Sequence, residues 1–208
     1  MPKLRSMMQG LRAYRRCALL GALVLVAGLT ACSRQPPFAL QNVSGLLPTL
    51  KFQLTDGDNH PVTARDYRGD VVLIYFGYTH CPDVCPTTLA MLSQALRGLG
   101  PSASSVRVLF VSVDPQRDTA ALLKRYASYF GPQFVGLRGQ DHALLALTRR
   151  YRVAFHLDQP DQYGNYAVEH SSAVFVFDQK GRARLLAGSS AEYKPADITQ
   201  DLRRLIAG

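Results

Sequence analysis

The stretch from Gly77 to Leu89, GYTHCPDVCPTTL, constrains this chain more than any other, because it sets two cysteines between strand-like sequence and a proline that only a helix start tolerates. The run before it, Val71 to Phe76, reads VVLIYF, and its unbroken apolar character suits a strand covered on both faces. Pro86 has no backbone N–H and fits a helix only in its first turn. A helix must therefore begin close to Cys85, covering Thr87 to Leu99 until Gly98, Gly100 and Pro101 stop it. Both sulfurs then lie at the positive end of a helix dipole, which predicts thiolate rather than thiol.

The rest of the pattern places that unit in a larger sheet. Residues 49–63 alternate apolar and polar around Asp56-Gly57, which predicts a β-hairpin. Val106 to Val113 is a second buried strand, and Asp118 or Thr119 can cap a helix from Ala120 to Phe130, stopped by Gly131 and Pro132. A strand over Phe134–Leu137, a helix over Asp141–Tyr151 and a strand over Val153–Leu157 follow. A polar stretch around Gly164-Asn165 leads to the AVFVF strand Ala173–Phe177, a turn at Asp178–Gly181, a strand over Arg184–Leu186 and a closing helix over Pro195–Ile206. Strands alternating with helices imply an α/β fold whose crossovers build a mainly parallel central sheet. With 208 residues, 47% of them hydrophobic, the chain has material for one such core.

Twenty-four Lys and Arg against fifteen Asp and Glu give a formal charge of +9. Five of those cations, Lys3, Arg5, Arg12, Arg15 and Arg16, lie in the first 31 residues, where no acid occurs; without them the balance is nineteen to fifteen, or +4. The others are dispersed apart from Arg149, Arg150, Arg152 and Arg203, Arg204, with no basic stripe interleaved with aromatics, so no nucleic-acid partner is expected.

Cys17 to Leu29 reads CALLGALVLVAGL, shorter than the roughly 20 residues of a spanning helix but shaped like the apolar core of an export signal. The following Leu29-Thr30-Ala31-Cys32 resembles a bacterial lipobox, which implies cleavage before Cys32 and lipid on its sulfur. An uncleaved signal anchor is the alternative, and both place the domain at a membrane outside the cytoplasm, facing the periplasm. Residues 1–31 are thus expected to be a lipoprotein signal peptide and 32–48, with Pro36, Pro37, Gly45 and Pro48, a flexible tether. The folded domain is expected to span 49–208.

Cys81 and Cys85 can close into a disulfide or grip a soft metal. A disulfide enclosing three residues removes little entropy from the unfolded chain, which makes a purely structural bridge a poor reason for the pair. Zinc in a closed site takes four protein ligands, whereas copper(I) accepts two thiolates and an imidazole. Of the five histidines, His60 precedes Pro61 in the hairpin turn, His142 lies in an amphipathic helix and His156 sits beside charged residues, all positions that suit solvation. His80 adjoins Cys81, but neighbours on an extended loop point apart. His170 immediately precedes the AVFVF strand. In a thioredoxin-like sheet that strand start lies beside the redox helix, so a loop ending there lowers an imidazole onto the two sulfurs; His170 is the expected third ligand.

The GYTHCPDVCPTT stretch, the segment Val113-Asp114-Pro115-Gln116-Arg117-Asp118-Thr119 after its strand, and Glu169-His170-Ser171 resemble the Sco/SenC family, in order and spacing, from about Thr49 to the C-terminus. That resemblance implies a thioredoxin-like fold: a central mixed β-sheet flanked by helices, with an N-terminal β-hairpin. It also implies a membrane-tethered monomer that carries copper, Cu(I) and also Cu(II), on Cys81, Cys85 and His170. The implied partners are the copper-site subunit of cytochrome c oxidase and other copper chaperones. The family often has Asp where Glu169 stands, a departure that touches the surroundings of the ligands and not the ligands themselves. Asp114 and Asp118 match the family pattern, and roles in turns and helix capping suit them at least as well as a metal role.

A copper metallochaperone is the leading reading. The alternative is a partner-specific thiol-disulfide oxidoreductase using Cys81 and Cys85 as a redox pair on metal-site cysteines of the oxidase. General thioredoxin-like reductases place a proline at the start of the strand facing the pair, and Glu169 to Asp178 contains none. A peroxidase would want Thr three residues before its cysteine, but position 78 is Tyr and position 82 is Pro. Protons compete with a metal for two thiolates and one imidazole, so copper affinity is expected to fall on acidification around pH 6.

Overall fold

The computed structural model describes residues 36–188 and 192–208. Its compact unit runs from Phe38 to Gly208. The strands are β1 (Gln41–Asn42), β2 (Gln53–Asp56), β3 (Pro61–Thr63), β4 (Val71–Gly77), β5 (Val106–Ser112), β6 (Phe134–Arg138), β7 (Phe155–Leu157), β8 (Val168–His170), β9 (Val174–Phe177) and β10 (Ala183–Ala187). The helices are α1 (Val84–Leu99), α2 (Ala120–Ser128), α3 (Asp141–Tyr151) and α4 (Pro195–Ala207). Eight strands form one mixed sheet in the order β1-β10-β9-β4-β5-β6-β2-β3, while β7 and β8 pair only with each other.

Every residue of β4 is buried, as its unbroken apolar sequence requires, and the strand sits at the middle of the sheet. Successive side chains point to opposite faces. Tyr75 therefore meets Phe110, which packs on Tyr126 of α2, whereas Phe76 meets Phe175, which packs on Tyr151 of α3. Helix α4 lies against α1, where Thr199 Oγ1 donates to the Ala95 carbonyl at 2.8 Å. The hairpin at Asp56-Gly57 forms as the sequence predicts, with Leu54 opposite Val62.

The sheet departs from the mainly parallel expectation. β4, β5 and β6 are parallel, as a β-α-β-α-β run dictates, but β9 lies antiparallel to β4, with Val174 opposite Tyr75. The physical reason is where the chain re-enters: β8 ends beside the C-terminal end of β4, so β9 can only run back down it. The boundary at Thr49 also moves. Leu40 and Val43 are buried, β1 pairs with β10, and the Leu40 amide donates to Asp201 at 2.8 Å. Prolines at 36, 37 and 48 and Gly45 give this segment the composition of a tether, yet its spaced apolar residues complete the core. The expected signal peptide, with Cys17, and the expected lipidation site Cys32 lie outside the described residues.

Candidate metal centre

Gly77, the last residue of β4, has no room for a side chain: a Cβ there would sit 2.8 Å from Cys85 Sγ and 2.7 Å from the Phe110 ring. The next residues are pinned to the neighbouring strand. Asp118, with no exposed surface, accepts from the Thr79 amide at 3.1 Å, the Thr79 hydroxyl at 2.5 Å and the Ser112 hydroxyl at 2.6 Å. Thr119, not Asp118, is the side-chain cap of α2. Asp118 thus holds the start of the cysteine loop against the end of β5.

Helix α1 begins at Val84, three residues before Thr87, so Cys85 lies inside its first turn and Pro86 needs no donor there. Both cysteines are buried free thiols, and the Cys85 amide donates to Cys81 Sγ at 3.3 Å. Burial pushes the Cys85 thiol up to about 12. The helix-dipole expectation of a thiolate is therefore corrected at this cysteine: desolvation in the core outweighs the dipole. Tyr75, buried beside it, is raised too, first by desolvation and then by the adjacent Cys85.

His170 is delivered differently from the loop that the sequence suggests. It ends β8, paired with Phe155 of β7, so a two-stranded ribbon carries it to the sulfurs. Its Nδ1 lies 3.0 Å from the Ser171 carbonyl, an acceptor only, which places the ring proton on Nδ1 and leaves Nε2 as the lone-pair atom. Nε2 is 3.2 Å from Cys85 Sγ, so the neutral thiol donates to it. Burial pulls the imidazole below 6.5, partly opposed by the Ser171 carbonyl. Tyr78 and Tyr75 present their rings edge-on at centroid distances of 5.9 and 6.1 Å.

The three atoms Cys81 Sγ, Cys85 Sγ and one His170 ring nitrogen lie within 4.8 Å of one another. A second grouping, Asp56, Asp58 and His60, sits on the exposed hairpin, where Asp58 is held by Lys124 at 2.5 Å. His60 and His156 are solvated, with about three-quarters of each side chain exposed (75% and 74%), and His142 is exposed. His80 faces Thr79 and Asp118 at 3.2 and 3.7 Å. Two thiols and one imidazole, with no fourth Cys, His or carboxylate in the group among the described residues, suit a soft low-coordinate ion rather than a closed zinc site.

In the sequence Asp114 suits a turn or cap at least as well as a metal role, and neither Arg117 nor Tyr166 is singled out. Asp114 has no exposed surface and accepts from Tyr166 Oη at 2.7 Å and from Arg117 Nε. An aspartate with an arginine three residues on is the only local signal the sequence carries for this cluster; Tyr166, 49 residues further, has none.

The fold and this cluster define a thioredoxin-like domain with a two-thiol, one-imidazole centre at the start of a helix. The chain belongs to the SCO1/SenC family, whose profile matches residues 44–207. It is 37% identical over 158 residues to the mitochondrial SCO2 homologue of Mus musculus, covering 75% of this chain and 61% of that protein. To the SCO2-like protein of Rickettsia felis it is 33% identical over 132 residues, 63% of this chain and 64% of that one. It therefore spans about three-fifths of the length of these relatives. Among solved structures, copper-bound ScoI of Bradyrhizobium japonicum superposes with a TM-score of 0.68 at 38% identity, covering 76% of this chain and 98% of that one. Copper-bound yeast Sco1 superposes at 0.69 with 30% identity, covering 77% and 90%.

Proposed function

We propose that this chain is a copper metallochaperone in which Cys81, Cys85 and His170 hold one copper ion, delivered to the copper-site subunit of cytochrome c oxidase during assembly. The carrying observation is the convergence of two free thiols and one imidazole lone pair within 4.8 Å. Copper-bound structures of the ScoI and Sco1 relatives support the reading, as does the description of a further structural neighbour, BsSco, as one of a family of cytochrome c oxidase assembly proteins. Cleavage before Cys32 and lipid on its sulfur would tether the domain to a membrane, facing the periplasm.

The residues divide the work. Binding would release the thiol protons of Cys81 and Cys85 to solvent, and the Nε2 lone pair freed from its bond to Cys85, together with the two sulfurs, would satisfy a soft ion. Ser171 keeps the other ring proton and so fixes which nitrogen faces the ion. Copper titration with X-ray absorption on reduced full chain and on His170→Ala tests this. One copper per chain with two sulfurs and one nitrogen is expected, the nitrogen being lost in the variant. No stoichiometric copper, or identical binding by the variant, overturns it.

A partner-specific thiol-disulfide oxidoreductase is the second reading, favoured by one observation: Cys81 and Cys85 are both free thiols at one helix start, with the Cys85 amide donating to Cys81 Sγ. A reductase tolerates His170→Ala in thiol-exchange rate; a carrier loses its nitrogen ligand.

A further inference from the structure

The ribbon of β7 and β8 has three residues per strand and pairs with nothing else in the sheet. Two short strands alone are marginal in water, so the ribbon's placement over the sulfurs has to come from elsewhere. One cluster meets it from the β5–α2 loop. The Arg117 guanidinium lies 3.6 Å from the centroid of the Tyr166 ring and 5.7 Å from that of Tyr78, and its Nη1 donates to the Tyr166 carbonyl at 3.0 Å. Its Nε donates to Asp114, whose other oxygen accepts from Tyr166 Oη at 2.7 Å. Tyr78 in turn stands edge-on to the His170 ring.

We propose that Arg117 and Tyr166 form a latch that positions His170 over Cys81 and Cys85, acting through the ribbon and Tyr78 without touching the ion. Only three residues separate Tyr166 from His170, so gripping Tyr166 by both its carbonyl and its ring fixes the strand that ends in the ligand. The grip needs arginine. Only a planar fork can stack on an aromatic ring while bonding a carboxylate and a carbonyl in its own plane; a lysine supplies a point charge. Arg117 Nη2 is buried with no hydrogen-bond partner among the described residues, so the guanidinium is held for its fit between two rings rather than for a filled set of bonds. Asp118 does the corresponding work for the other side of the centre, holding Thr79 two residues before Cys81. The β5–α2 loop thereby sets the thiols and the imidazole in register with each other.

The inference rests on the copper reading, and the test separates the two. Full chain in detergent is loaded with Cu(II) alone or Cu(I) alone, comparing wild type, His170→Ala, Arg117→Lys and Tyr166→Phe. Copper(II) favours the imidazole more than copper(I) does, so loss of positioning shows first in Cu(II). Arg117→Lys is expected to lose the imidazole nitrogen coupling in electron paramagnetic resonance and to weaken Cu(II) by about tenfold or more, the usual effect of misorienting a ligand, with Cu(I) changed far less. Tyr166→Phe keeps the ring stack and loses the Asp114 bond, so it falls between wild type and Arg117→Lys. Wild-type coupling and Cu(II) affinity in a folded Arg117→Lys overturn the latch. Should that variant not fold, Tyr166→Leu, which removes the ring the guanidinium stacks on, decides alone, unchanged coupling and affinity overturning the latch. A His170→Ala protein that keeps the nitrogen coupling overturns the copper reading instead.

Discussion

Cys85 and His170 lie 3.2 Å apart, yet one is built into the framework of the sheet and the other is brought to it on a ribbon that pairs only with itself. The thiol side starts from β4, the most buried strand, passes Gly77, whose missing side chain makes room for sulfur, and enters a helix whose first turn contains Cys85. Disturbing it costs core packing. The imidazole side puts only Val168 fully into the core and rests otherwise on partly buried Phe155, Leu157 and Tyr166 and on the Arg117–Asp114 contacts, so it can be displaced at lower cost. The proposed carrier function would use both properties: sulfurs that retain the ion, and a third ligand that yields when a partner offers its own.

The strongest way to break that comparison is Cys85→Ser. Serine preserves shape in a fully buried site but offers a hard, weakly acidic hydroxyl to a soft ion. Copper(I) affinity, measured by competition with a chromophoric chelator, is expected to drop by several orders of magnitude, whereas His170→Ala costs much less. Equal losses in the two variants would mean the sulfurs do not carry the retention.

Acidity probes the same division next. With the Cys85 thiol at about 12, its proton must be displaced by the ion throughout the neutral range, and affinity should rise about tenfold per pH unit for that proton. The imidazole, held below 6.5, competes with protons only under more acidic conditions, so the fall expected around pH 6 is displaced downward and the thiol governs the neutral slope. Stability of the metal-free protein follows opposite signs. His170, depressed in the fold, contributes stability above 6.5 that is lost as pH falls through its lowered value; Cys85, raised, contributes stability below 9.0 that is lost as pH climbs towards 12. Titrations of copper affinity and of melting temperature against pH report the two effects separately, and a flat affinity from pH 7 to 9 would contradict a protonated Cys85.

Asp118→Ala sharpens the comparison from the thiol side. It strands the buried Ser112 hydroxyl, removes the acceptor of the half-buried Thr79 amide and leaves the Thr79 hydroxyl only His80, at roughly 3 kcal/mol, or a melting temperature lower by about 10 °C. The latch variants should cost less stability while affecting the imidazole more. Calorimetry on the metal-free proteins settles the ranking.

How much of this was legible in the sequence depends on whether a signal was local. The VVLIYF run, Pro86 and the Gly100-Pro101 pair after Leu99 specify β4 and α1 through short-range sterics and burial, and Asp141–Tyr151 forms as read. His170 was identifiable as a ligand candidate from its place before an apolar strand, but not its ribbon, because Val168–His170 is too short to alternate visibly. The antiparallel entry of β9 depends on where the chain has been beforehand, which no local pattern encodes. The Cys85 thiol went wrong for a related reason: the helix dipole is visible in sequence, but the degree of desolvation that opposes it is a property of the assembled core. Arg117 and Tyr166 are 49 residues apart, and only folding reveals that one stacks on the other.

The smallest expected effect is the most discriminating for the loop. Thr79→Val keeps the shape and the amide bond to Asp118 while deleting only the hydroxyl that donates to it at 2.5 Å. Asp118 retains Ser112 and the Thr79 amide as donors, so the loss is that of one hydrogen bond to a carboxylate, about 1–2 kcal/mol, rather than of a stranded acid. If Asp118 acts on the centre by fixing the start of the cysteine loop, two contacts that remain should still hold Cys81 in place. Copper(I) affinity should then fall by no more than a few-fold, and the Cu(II) nitrogen coupling, which reports the imidazole side, should not move. A large loss of Cu(I) with an unaltered melting temperature would instead show that the Thr79 hydroxyl itself helps to set the sulfur geometry, and that the thiol side is less rigid than its burial indicates.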